Sequence, residues 1–157
     1  MSYPDFYDAV PKISLYDPLA EFLGATEGGI LQYGYFDAVR LAGHSCPTVA
    51  SAYWATCKAL AALYPDAMPV RGDIKVEFNQ GSTSGVTGVI ANVGSMLTGA
   101  MADNGFKGIG GRFDRRDAAV HVGADDCRVE GVRVQGAVFG ILVEKANRAI
   151  LRGCEVE

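Results

Sequence analysis

Two short helices are predicted in the first 43 residues. Asp17-Pro18-Leu19 is typical of a helix start, because aspartate accepts hydrogen bonds from free N–H groups and proline suits the first helical position. Phe22 and Leu23 continue the apolar face that Leu19 begins. A second helix is predicted over residues 35–43, where Gly43 stands at a position that favours glycine after a helix C-terminus.

The longest helical pattern begins at Pro47. Its apolar positions recur every three to four residues, as expected of a buried helix face. They are Val49, Tyr53, Trp54, Cys57, Leu60, Ala61 and Tyr64. A strand is predicted over residues 74–78, where apolar and charged residues alternate. Helical spacing returns over residues 86–100, and Asn104-Gly105 is expected to break that helix.

Residues beyond about 118 show stricter alternation and an internal repeat. The segment Val129–Val134 matches Leu151–Val156 at an offset of 22 residues. A period of this length is typical of β-solenoid rungs, although such arrays normally need about three repeats for stability. The sequence therefore predicts an α+β domain over residues 1–116, with helices packed on a small mixed sheet. A short β-solenoid-like tail is predicted over residues 117–157.

Composition narrows the choice of partners and compartment. The 157 residues carry a net charge of −4, and 49% of them are hydrophobic. We therefore expect a folded protein that binds neither nucleic acid nor a membrane surface, since both need a basic patch. The first residues do not resemble a signal peptide, and no apolar run is long enough for a membrane span. A cytoplasmic protein with free thiols is expected, because none of the four cysteines forms a CxxC pair.

The loop Gly43-His44-Ser45-Cys46-Pro47 holds the residues best suited to chemistry. Its glycine permits a tight turn, and its proline begins the next helix. His44 and Cys46 are two positions apart, so both side chains can face one cleft. The N-terminus of the following helix lies beside Cys46, and its positive dipole end favours the thiolate.

The first prediction from this pair is that it binds a metal ion. Imidazole and thiolate suit zinc, and also softer transition metals. His44 and Cys46 supply two of the four ligands that a structural zinc site normally has. Water, Glu77, Asn79 or a second subunit would have to complete the coordination.

Two other interpretations of the loop stay open at this point. In the first, Cys46 is a small capping residue and His44 a satisfied polar one, so the turn is purely structural. In the second, Cys46 is a nucleophile and His44 its general base. No orienting aspartate or asparagine is evident in the sequence for such a pair, and catalytic residues therefore stay unassigned.

Trp54 and the segment of residues 105–116 each allow a binding role beside a structural one. The helical pattern places Trp54 in the core, and stacking on a substrate is the alternative. The segment contains glycines and four basic residues, Lys107, Arg112, Arg115 and Arg116. Such a segment can hold an anion, but the main expectation is a tight turn leading into a solvated basic edge.

Three stretches, Asp37–Pro47, Gly85–Asn92 and Gly105–Phe113, together resemble the E-subunit family of formylmethanofuran dehydrogenase, the FmdE family. The likeness extends over about residues 15–116. It implies an α+β fold, a homodimer and a metal site, often zinc, near His44 and Cys46. Many members carry a motif rich in cysteine and aspartate after the first strand, where this chain has Glu77–Gly81.

The tail resembles a different family. Cys127–Val132, followed by Phe139–Glu144, is similar to the parallel β-helix repeats of the NosD family, over about residues 118–157. That family is periplasmic and assists copper-site maturation in nitrous-oxide reductase. The resemblance implies a non-catalytic module that binds a protein partner through residues 118–157.

These observations predict first a metal-binding accessory protein, with zinc or another transition metal held at His44 and Cys46. A homodimer is expected. The alternatives are a thiol enzyme that uses Cys46 with His44, and a β-helix module in copper-site maturation.

Overall fold

The computed structural model of the chain describes residues 3–78, 80–116, 120–122 and 142–145. Its helices are α1 (Phe6–Ala9), α2 (Pro18–Phe22), α3 (Tyr35–Ala42), α4 (Pro47–Leu63) and α5 (Thr87–Thr98). Its strands are β1 (Ile13–Tyr16), β2 (Ile30–Tyr33), β3 (Ile74–Phe78), β4 (Val120–Val122) and β5 (Leu142–Lys145), and a 3-10 turn covers Glu27–Gly29. The predicted small α+β fold is confirmed. Among the helices of these ranges, none combines the length and the apolar character that crossing a membrane requires.

The described strands form two sheets. β1 and β2 pair antiparallel, with Leu15 opposite Leu31. β3 lies between β4 and β5, parallel to the former and antiparallel to the latter. β3 therefore pairs with two segments that follow the predicted boundary at residue 116. The 22-residue repeat and most of the NosD-like stretch lie outside the described residues, so the solenoid tail and the two-domain division stay predictions.

The buried core joins side chains from β1, α4, β3 and α5. The large side chains that are almost fully buried include Leu15, Val49, Tyr53, Leu60, Ile74, Val76, Val93 and Leu97. The predicted strand pattern is confirmed, because Ile74, Val76 and Phe78 are all at most 5% exposed. Burial of one such side chain contributes about 1.5–3 kcal/mol relative to leaving it in water. This core fixes α4, and with it the loop at the N-terminus of α4.

The start of α2 is confirmed, but its predicted apolar face is wrong. Asp17 caps the helix through Oδ1, which accepts hydrogen bonds from the N–H groups of Leu19 at 2.9 Å and Ala20 at 3.2 Å. Phe22 and Leu23 are 57% and 58% exposed, whereas Ala20 is buried. α2 has only five residues, so it presents a single short side to the core.

The end of α5 also differs from the prediction. The helix ends at Thr98, and not at Asn104-Gly105, because Gly99 adopts a left-handed conformation with φ +76° and its N–H donates to the carbonyl of Ser95 at 2.9 Å. A glycine in this conformation ends a helix without steric cost. The apolar spacing continues to Ala100, which is buried although it lies beyond the helix.

Candidate functional site

The loop between α3 and α4 has the local conformation that its sequence predicts. Gly43 ends α3 in the left-handed region with φ +75°, and Cys46 is the N-cap residue of α4. α4 is 17 residues long and packs into the core, so the position of Cys46 is set by a rigid element. His44 and Ser45 are exposed, and Cys46 is half-buried.

The imidazole of His44 is oriented by the backbone. Its Nδ1 lies 2.9 Å from the carbonyl oxygen of Ala42. When Nδ1 carries the proton and donates to this oxygen, Nε2 keeps its lone pair free for a metal ion or a proton. The hydrogen bond to Ala42 raises the pKa of His44, and the neighbouring Cys46 sulfur raises this pKa further. The Ala42 carbonyl thus orients the imidazole of His44, a role for which no aspartate or asparagine was evident in the sequence.

The two described cysteines differ in their acidity. The backbone N–H of Val49 lowers the pKa of Cys46 most, and it outweighs the opposing effect of burial; His44 and the N–H of Thr48 add to the lowering. Cys57 lies further along α4, and burial raises its pKa to about 11. Since the thiolate is the nucleophile and the metal ligand, we expect Cys46 to be the more reactive of these two thiols.

An open pocket of about 490 Å³ is lined in part by Cys46. Its walls come from α1, α3, the loop and α4, and comprise Phe6, Val10, Tyr35, Ser45, Cys46, Pro47, Ala50 and Trp54. The hydroxyl of the buried Tyr35 lies 2.7 Å from Oγ of Ser45 and ties the loop to α3. Aromatic and aliphatic walls with few polar groups are typical of pockets for small organic molecules.

The prediction that Trp54 lies in the core is wrong. Its side chain is 43% exposed and lines this pocket, whereas the adjacent Tyr53 is fully buried. One residue corresponds to about 100° around a helix, so Trp54 lies on a different side of α4 from Tyr53. The ammonium group of Lys58 lies 4.8 Å from the centre of the Trp54 ring. The exposed ring is therefore in a position to stack on a molecule bound beside Cys46.

Among the described residues, His44 and Cys46 are the two candidate metal ligands at this loop. No group of three or more histidine, cysteine, aspartate or glutamate side chains with metal-binding proximity occurs among them. Glu77, expected as an additional ligand, forms an ion pair with Lys75 on β3. Asn79, the other expected ligand, lies outside the described residues. His44 and Cys46 fit a soft divalent ion by donor type, and the rest of the described chain adds no third histidine, cysteine or carboxylate ligand to them.

A second polar cluster was missed by the sequence analysis. Asp17 is 2% exposed, and its Oδ2 accepts from Arg71 at 2.7 Å while its Oδ1 accepts from Arg115 at 2.6 Å. Burial by itself raises the pKa of Asp17, but the hydrogen bonds from both arginines and from the Ala20 N–H outweigh it and hold the pKa below its ordinary value. The expectation of a solvated basic edge is wrong for Arg115, which is 5% exposed. Its partner lies 98 residues earlier, and no sequence pattern links the two.

Fold and loop together define a small α+β protein with an exposed imidazole and a half-buried thiol in one loop, the thiol residue lining an apolar pocket. No family model, curated protein or solved structure matches this chain. The likeness of residues 15–116 to the FmdE family therefore stays a prediction.

Proposed function

We propose that the protein is a metal-binding accessory protein whose ion, zinc or another transition metal, binds at His44 and Cys46. The observation that carries this proposal is that one loop holds two donor atoms, Nε2 of His44 and Sγ of Cys46, each in surroundings that favour its metal-binding form. The Ala42 carbonyl leaves Nε2 of His44 as a lone-pair donor, and the N-terminus of α4 favours the thiolate of Cys46. Neutral imidazole and thiolate are the forms that bind metal.

The exposure of the pair supports an accessory role over a structural one. A structural zinc site is closed by four protein ligands, whereas a site with two leaves positions for water or for ligands of another protein. His44 is exposed at the surface of the loop. A second copy of the chain that contributes its own His44 and Cys46 would complete a tetrahedral site, in agreement with the expected homodimer.

Zinc titration of chelator-treated protein, followed by elemental analysis, tests the proposal. Wild type is compared with His44→Ala/Cys46→Ala, and Cys57→Ala is the matched control for loss of a thiol from the same helix. We expect near-stoichiometric zinc in wild type and in the control, and none in the double variant. Equal zinc in all three proteins, or none in wild type, would overturn the metal site.

The pocket beside Cys46 favours a second candidate, a thiol enzyme. His44 would accept the thiol proton, and the thiolate would add to the carbonyl carbon of a small apolar substrate held against Trp54 and Tyr35. The C=O π bond would open, and the imidazolium would return the proton to the carbonyl oxygen. This function does not require a metal ion, so it is distinguished from the first by its survival in the presence of a chelator.

Alkylation by iodoacetamide as a function of pH, followed residue by residue by mass spectrometry, tests this candidate. The alkylation of Cys46 is expected to reach half its maximal rate at lower pH than that of Cys57, whose pKa is about 11. His44→Ala removes a group that lowers the pKa of Cys46, so the midpoint should move to higher pH. Identical profiles for the two cysteines would refute an activated Cys46.

A further inference from the structure

A second pocket, of about 310 Å³, opens beside the buried Asp17 and shares no lining residue with the pocket at Cys46. Its charged lining consists of Arg71 and Arg115 together with Asp17, and it therefore carries a net positive charge. Much of the remaining wall is apolar and includes Leu19, Leu23, Leu31, Met101 and Phe106. A cavity of this size holds a small organic molecule.

The charges of the cluster are not balanced. Two guanidinium groups meet the single carboxylate of Asp17, which leaves one positive charge in a largely buried place. Burying an uncompensated charge is unfavourable, so this pocket attracts an anion. The carboxylate of Glu21 on α2 accepts a hydrogen bond from the hydroxyl of Tyr16 at 2.5 Å.

Both guanidinium groups retain donors after their contacts with described residues. Arg71 uses three N–H groups, two on the carbonyl of Met96 and one on Asp17. Arg115 uses two, one on the carbonyl of Arg71 and one on Asp17. A guanidinium has five N–H groups, so each arginine can also donate to a ligand.

The backbone is shaped around these arginines. A Cβ atom at Gly72 would lie 1.6 Å from Nη1 of Arg115, and one at Gly99 would lie 3.0 Å from the same atom. Both glycines adopt positive φ, +90° and +76°. The cationic wall is thus held in place by main-chain geometry and by Asp17, independently of any ligand.

We propose that this pocket binds a small monocarboxylate that carries a short hydrocarbon chain. A planar carboxylate matches the fork of an arginine, and its single charge neutralises the cluster. A doubly charged phosphate would add a further negative charge beside Asp17. The apolar wall favours a hydrocarbon chain on the ligand. Leu23 and Phe106 are 58% and 40% exposed, and the ligand's hydrocarbon chain would cover them.

Chemical-shift titration of the full chain with hexanoate tests this inference, with hexanol and acetate as probes that lack the charge or the chain. We expect saturable shifts at Leu31, Met101 and Phe106 with a dissociation constant of about 1 mM or below. Hexanol and acetate should each bind about tenfold more weakly, because one loses the charged hydrogen bonds and the other the apolar contact. The proposal would be overturned if hexanoate did not bind, whether or not another segment of the protein fills the pocket. It would also be overturned if hexanol bound as tightly as hexanoate.

A surface variant separates this site from general apolar binding without touching the ion cluster. Leu23→Asp places a negative charge at the exposed mouth, and Leu41→Asp is the matched control on α3, where the leucine is 50% exposed. Hexanoate should bind Leu23→Asp about threefold or more weakly and Leu41→Asp as wild type. Unchanged affinity in Leu23→Asp would refute the site. The metal proposal at His44 and Cys46 is unaffected by either result.

Discussion

The Asp17 cluster and the α3–α4 loop place polar groups in opposite surroundings. In the cluster, the side chains of Asp17, Arg71 and Arg115 are 3%, 18% and 6% exposed, and they join α2 to two later segments of the chain. In the loop, His44 is exposed, and its partners lie within two residues along the chain.

The difference in burial implies that the two regions serve different purposes, the cluster stability and the loop ligand binding. A buried charge that loses its partner is strongly destabilising, because the remaining charge cannot be solvated. An exposed side chain that loses its partner is solvated by water at little cost. We therefore expect changes in the cluster to affect unfolding, and changes in the loop to affect ligand binding and reactivity while the fold is retained.

The largest effect is expected for Asp17→Ala. This change leaves two buried guanidinium groups without their carboxylate and removes the cap of α2. It should lower the free energy of unfolding by about 3–5 kcal/mol, measured by urea denaturation. Asp66→Ala, at an exposed position after α4, is the control and should change it by less than about 0.5 kcal/mol. Similar values for both variants would contradict the structural role of the cluster.

A somewhat smaller loss is expected for Gly72→Ala. An alanine at this position must adopt the unfavourable φ of +90°, and its methyl group displaces the guanidinium of Arg115. Together these effects should lower the free energy of unfolding by about 2–4 kcal/mol. Gly110→Ala is matched in sign of φ, +57°, but has no heavy atom within 4 Å of the new Cβ. The control should lose only about 1 kcal/mol. If thermal or urea unfolding ranks the two equally, the close packing around Arg115 is not what stabilises this region.

The cluster should also determine the response to acid. The pKa of Asp17 is lowered in the fold, so its contribution to stability is complete above its ordinary value of 3.8 and is lost as the pH falls through the lower folded value. Urea midpoints measured between pH about 5 and about 2 should therefore decline more steeply in wild type than in Asp17→Asn. His44→Ala should keep the wild-type slope in this range. A parallel decline in Asp17→Asn would assign the acid sensitivity to other carboxylates.

The smallest effect on stability is expected for His44→Ala/Cys46→Ala. His44 is exposed and Cys46 is half-buried, so neither side chain belongs to the fully buried core. The unfolding free energy should fall by less than about 1 kcal/mol. A loss comparable to that of Asp17→Ala would mean that the loop serves the fold, and the structural interpretation of His44 and Cys46 would then be preferred.

Predictions from the sequence succeeded where structure is set by neighbouring residues. Gly43 and Pro47 bound the loop as expected, and the alternation over residues 74–78 is a buried strand. The pair of candidate ligands was also found this way, since two positions within five residues share one turn. α1, β1 and β2 were not predicted, because their apolar patterns are only four residues long.

Errors arose where exposure depends on what packs against an element. Trp54 and Phe22 carry apolar side chains at helical spacing, yet both are largely exposed. Arg115 lies in a glycine-rich basic segment and is buried. Spacing shows which positions share a side of a helix, but the neighbouring elements decide which side is covered.

The sequence by itself determined the α+β class, the limits of α3 and α4, and the placement of His44 and Cys46 in one loop, since capping and glycine conformation act over a few residues. Only the tertiary structure decided that Arg71 and Arg115 meet Asp17, that Trp54 and Tyr35 line a pocket beside Cys46, and that α5 ends at Gly99 against Arg115. These contacts join residues far apart in the chain, and the burial that gives them their energy exists only once the elements have packed.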